Sequence, residues 1–133
     1  MDFNTFDTSK KSDEGTWVDI ISPDEVTIVA QFKILGRDSK KLKRRQQEIA
    51  KKREGKRKIS SVEQEADTLE TIATCTEAWR DVVDGKPVED CTVIVDQGEK
   101  LECTFDNALA VYKKYNWIAE QVIENIQDRS NFL

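Results

Sequence analysis

From Val26 to Ile34 every second position is apolar: Val26, Ile28, Ala30, Phe32 and Ile34, with Val29 the one apolar residue between them. A period of two is the repeat of a strand with one buried face, because successive side chains of an extended chain point to opposite sides. A strand that hides one face needs both a neighbour and a layer to pack on, so the rest of the chain must supply them. The neighbour is expected just upstream. Thr16 to Ile21 reads as a strand and Ser22-Pro23-Asp24-Glu25 as its turn, giving a β-hairpin over residues 16–35 that Gly36 ends. Residues 1–14 are mostly polar and are expected to form a loose N-terminal tail.

The packing layer is expected from helices. Asp38 or Ser39 can cap a helix over about 39–54, and Gly55 should fray its end. Its apolar stripe is narrow, consisting of Leu42, Ile49 and Ala50, with Ile59 beyond. Ser60-Ser61-Val62-Glu63 has the form of a capping box. The spacing of Val62, Ala66, Leu69, Ala73, Thr76, Trp79 and Val83 then predicts one long core helix over 61–84, stopped by Gly85 with Pro87 beyond. Residues 88–104 alternate weakly around Asp96-Gln97-Gly98, consistent with a short second hairpin. Asp106 is placed to cap a helix over 106–115, and Asn116 to break it and open a last helix over 117–129. The expected fold is therefore α+β: a single, mainly helical domain over residues 15–133, with an N-terminal β-hairpin. Trp79 and Trp117 sit on apolar stripes as core residues, while Trp17 fits either the core or a surface anchor.

Charge is distributed unevenly along this frame. Residues 37–58 hold 12 basic and 3 acidic residues, a local +9, while the whole chain of 133 residues carries −5. The remainder is thus −14 (9 basic against 23 acidic). Such polarity favours a charged partner, self-association, or internal pairing of the two signs. A nucleic-acid contact through the basic helix is the alternative, but the acidic remainder would repel phosphates and no aromatic residue interleaves the bases for stacking.

With no histidine in the sequence, Ser-His-Asp and Cys-His catalysis and the usual zinc sites are excluded. No glycine-rich phosphate loop or paired-carboxylate motif replaces them, so an enzyme is not expected, nor any cofactor. The start of the chain lacks the basic and apolar run of a signal peptide, and no apolar run spans a membrane, which points to an intracellular protein. Cys75, Cys91 and Cys103 are expected as free thiols, although a hairpin could bring Cys91 and Cys103 together.

The ending carries a resemblance. Trp117-Ile118, then Glu120-Gln121-Val122, then Asp128-Arg129-Ser130-Asn131-Phe132-Leu133 resembles the C-terminus of tail assembly chaperones of long-tailed bacteriophages. Gly36, Asp38 and Ser39 match a Gly-x-Asp-Ser step that in this family follows a strand and starts a helix. Trp79, the acidic 84–103 loop and Asn107-Ala108-Leu109 fit further, so the likeness covers about residues 16–133. Asn116 stands where the family pattern has proline, and the basic stretch is denser than expected. The resemblance implies a non-enzymatic factor acting in the bacterial host cytoplasm and absent from the mature virion. Such a factor binds the tape measure protein while tail tube protein polymerises around it. It also implies a longer product made by programmed ribosomal frameshifting, whose extra domain recruits the tube protein. On this basis the candidate partner-binding residues are Lys40, Lys41, Arg44 and Arg45 of the basic helix, with Trp117, Gln121, Arg129, Phe132 and Leu133 of the final segment.

Overall fold

The structure, a computed structural model, describes residues 1–55 and 58–133. Lys56 and Arg57 of the basic segment lie outside the described residues. The chain forms an α+β domain in which helices cover one face of a curled antiparallel sheet. Strand β1 (Thr16–Ile21) pairs with β2 (Ile28–Ile34), and β2 pairs with β3 (Thr76–Val83). A two-residue strand, β4 (Lys86–Pro87), closes the far side, so the sheet order is β1-β2-β3-β4. A separate hairpin, β5 (Val93–Asp96) and β6 (Glu99–Glu102), packs beside β3.

The expected first hairpin is present, with its buried side chains alternating as the sequence pattern requires. Val18 and Ile20 lie opposite Phe32 and Ala30, and Phe32 lies opposite Trp79, all facing the core. The alternation starts later than the sequence suggests: Val26 is exposed in the turn, and β2 begins at Ile28. The helices that seal this face are α3 (Ser61–Thr74), α4 (Phe105–Lys114) and α5 (Asn116–Gln127). They contribute Leu69, Ile72, Ala108, Val111, Tyr112, Val122 and Ile126 to one continuous core. Helix α2 (Lys40–Lys52) is peripheral and contributes only Leu42 to this core.

The long helix expected over 61–84 is corrected. α3 stops at Thr74, Cys75 turns the chain, and residues 76–83 are the strand β3. Spacing at 76, 79 and 83 fits a helix stripe and not one strand face, and the tertiary setting overrides it: β2 offers an open ladder and Phe32 a partner for Trp79. The rings of Phe32 and Trp79 lie 5.3 Å apart, and the Trp79 indole N–H donates to the Leu101 carbonyl at 2.9 Å. Gly85, expected as a helix stop, forms with Asp84 the two-residue turn of the β3–β4 hairpin, with φ of 77° and 53° respectively. Positive φ at both central residues is what a type I′ turn demands, and Gln97-Gly98 repeats it between β5 and β6.

Both ends of the chain and two helix caps also differ from expectation. Residues 1–14 are not a loose tail: a 3-10 turn at Phe3–Phe6 leads into α1 (Ser9–Glu14), whose Ser12 is buried. The last helix ends at Gln127, and Arg129–Phe132 forms a 3-10 turn that seats Phe132 in the core. Of the caps, Ser39 and Ser60 serve as expected, accepting from the N–H groups of Leu42 and Glu63. Thr104 rather than Asp106 caps α4, and Asn116 is the first residue of α5 rather than its cap.

Candidate partner-binding surfaces

The basic helix is largely answered from within the chain. Arg45 reaches Glu70 at 2.8 Å, Lys41 reaches Glu77 at 3.2 Å, and Lys52 lies 3.8 Å from Asp67. Arg53, just past the end of α2, is the centre of this arrangement. Its guanidinium donates to both Asp67 and Glu63 at 2.8 Å, and the Arg53 and Asp67 side chains are only 10% and 12% exposed. Hydrogen bonding from Arg53 lowers the Asp67 pKa and, reciprocally, Asp67 raises that of Arg53. Glu63, the expected second half of a capping box, is thus turned to Arg53. The same arrangement explains why Asp67 is buried while Val62, expected in the core, is 74% exposed. From the sequence Glu63 was expected only as a capping residue, and Arg53 and Asp67 were not singled out. The available signal was the i, i+4 spacing of Glu63 and Asp67 on the helix that follows a basic one.

Lys40 and Arg44 form no ion pair among the described residues and, with Lys51, share the outward side of α2 at helical spacing. The four bases singled out from the sequence therefore divide: Lys41 and Arg45 bind α2 to the body of the protein, and Lys40 and Arg44 face solvent.

Between α2, α3 and α5 lies an open groove of about 440 Å³. Leu42 and Ile49 come from α2, Ile59 from the connection, Ile72 from α3, and Ile123 and Ile126 from α5. Gln46, Gln64, Thr68 and Gln127 rim it. The narrow stripe of α2 is explained by this geometry, since Ile49 faces a groove rather than a closed core.

The final segment is used mostly inside the molecule. Phe132 is fully buried and Leu133 is 65% exposed. Arg129 donates to the Asp38 carboxylate at 2.9 and 3.1 Å, and Thr8 donates to the same group. Those bonds hold the Asp38 pKa down at about 2. The Arg37 N–H donates to the Ile126 carbonyl at 3.1 Å, and the Gly36 N–H to the Ser12 carbonyl at 3.1 Å. Lys40 offers its N–H to Asp13 at 2.7 Å. Gly36 admits this closure because it has no side chain: a Cβ there would collide with the Ser12 hydroxyl and stand 3.0 Å from the Phe132 ring. The two motifs that carried the resemblance, Gly36-x-Asp38-Ser39 and the 128–133 ending, are thus halves of one clasp that also takes in α1.

Gln121 and Trp117 lie elsewhere, beside β1. The Gln121 amide accepts from the Ile21 N–H at 2.8 Å and donates to the Ile21 carbonyl at 2.7 Å. Trp117 is half-buried, edge-on to Tyr115 at 6.2 Å. Trp17 lies on the outer sheet face, with the Arg80 guanidinium 4.0 Å over its ring. The nine candidate residues consequently do not converge on one site.

All three cysteines are free thiols, and burial pushes Cys75 and Cys103 up to about 11. Among the described residues no cluster of His, Cys, Asp or Glu could hold a metal ion, and no helix is long and apolar enough to cross a membrane. No protein-family model, curated protein or solved structure matches the chain.

Proposed function

We propose that this chain is a tail assembly chaperone of a long-tailed bacteriophage, and that it holds helical stretches of the tape measure protein in the α2–α3–α5 groove. The observation that carries the reading is the groove itself. It is an open channel with isoleucine and leucine on three walls, the form that receives the apolar face of an amphipathic helix. A long helical filament exposes such faces repeatedly and aggregates without cover. The C-terminal motif adds the family resemblance. On this reading the protein acts in the host cytoplasm without catalysis and leaves before the virion is complete. The tail tube protein is met through a frameshift-extended form.

Co-expression with the tape measure protein tests it. The expected result is that an insoluble partner becomes soluble and co-purifies, and that Ile49→Glu and Ile123→Glu, both at half-buried positions on the groove, abolish this while the chaperone still folds. Unchanged solubility of the tape measure protein refutes the proposal. The nucleic-acid reading is disfavoured because Lys41, Arg45, Lys52 and Arg53 turn inward to carboxylates, leaving fewer bases for phosphates.

A further inference from the structure

Strand β1 is an edge of the sheet, and its outer side is where the protein is least finished. In an antiparallel ladder alternate residues turn both backbone groups toward the partner strand or both away. Ile21 turns its pair away from β2, and Gln121 satisfies it with a side-chain amide, the same donor and acceptor that a peptide unit presents. Asp19 and Trp17 continue that outward row. Among the described residues, no side chain or loop bonds to their backbone groups.

Alongside the row runs a groove of about 980 Å³ between β1 and α5. Four carboxylates line it, those of Asp19, Glu25, Glu120 and Glu124, and no Lys or Arg does. None of the four belongs to an ion pair among the described residues, in contrast to the acids of α3. Trp17 and Trp117 supply aromatic surface within reach of the same groove. We infer that this groove is a strand-addition site for an extended, lysine-bearing segment of a partner protein. The segment's backbone continues the sheet at Trp17 and Asp19, beyond the point where Gln121 ends the row. Its alternate lysines lie along the carboxylates of α5 with a stem on the Trp117 indole.

A second copy of this chain is a poorer occupant. Two-fold pairing of β1 with β1 would face Asp19, Glu120 and Glu124 with their own copies, and like charges so placed oppose association. The inference stands apart from the chaperone reading, because the two grooves share helix α5 but no lining residue.

The probe is a fluorescein-labelled synthetic peptide alternating lysine and valine, followed by fluorescence anisotropy against the full chain. Binding is expected, weakening about tenfold as salt rises from about 50 to about 300 mM. The double variant Glu120→Gln/Glu124→Gln, at exposed helix positions, should weaken it about tenfold again with the melting temperature kept. Asp19→Pro removes an outward N–H without touching a ladder bond and should abolish binding, whereas Asp19→Asn should retain most of it. Ile49→Glu should leave the peptide affinity unchanged whatever it does to the tape measure protein. The proposal is overturned if the lysine peptide does not bind, in which case Gln121 and Asp19 serve only to guard the edge. It is equally overturned if a peptide N-methylated on every amide, which has no N–H left on either edge, binds as well as the parent, or if the chain alone dimerises through β1 in sedimentation.

Discussion

Phe132 is the next-to-last residue and yet fully buried, and replacing it with alanine separates a structural terminus from a free docking tail. Truncating a fully buried phenylalanine costs about 3–5 kcal/mol through lost transfer energy and the cavity left behind. The lower end applies here, because a short 3-10 turn near the chain end can collapse onto the gap or detach locally instead of straining the core. Unfolding entropy of about 2.1 cal/mol/K per residue gives about 0.28 kcal/mol/K for a chain of 133 residues. A loss of about 3 kcal/mol then lowers Tm by about 11 °C. Leu133→Ala is the matched control, since that side chain is mostly exposed and its removal should stay within about 0.5 kcal/mol, or about 2 °C. Thermal melts followed by circular dichroism at fixed protein concentration read both. If Phe132→Ala melts within about 2 °C of the parent, the terminus is not part of the core and the clasp described above is wrong.

Three further outcomes follow from the same contacts. Gly36→Ala should destabilise by about 1–3 kcal/mol in urea titration, because its Cβ meets Ser12 and Phe132, and Ser12→Gly in the same chain should restore part of the loss. Asp38 is held down to about 2, so its stabilising effect is complete above the ordinary aspartate range and is lost as pH falls through about 2. The stability gap between the parent and Asp38→Asn should therefore shrink by about 1 kcal/mol from pH 5 to pH 2, a figure reduced for the exposure of Arg129, and a constant gap would refute the pairing. Alkylation of the native protein at pH 8 should label Cys91 well before Cys75 and Cys103, whose thiols burial holds near 11; peptide mapping that finds Cys103 modified equally fast would count against its burial.

What could be read from the sequence follows the range of the forces involved. The β1–β2 hairpin was legible because alternation and a proline turn are local signals. The caps at Ser39 and Ser60 were legible for the same reason, each being a side chain bonded three residues on. Strand β3 was not. Trp79 and Val83 satisfy a helix stripe, and only the open edge of β2, more than forty residues away, selects the extended form. The Asp84-Gly85 dipeptide held the missing hint, since with Asp at the first turn position it marks a hairpin as well as a helix end. For the candidate site, the basic character and narrow apolar stripe of α2 were legible, but which of its bases were engaged depended mainly on the acids of α3. Phe132 and Gln121 looked like docking residues because their partners, Gly36 and Ile21, lie about a hundred positions upstream.

The junction of α3 and β3 has a mechanical consequence. Cys75 is the one residue between them, fully buried, with its N–H on the Thr71 carbonyl and its own carbonyl taken by the Leu35 N–H. No slack separates helix from sheet at that point. An occupant wedging α3 outward from the groove would therefore lever the central strands through a stiff arm, instead of swinging a hinged flap.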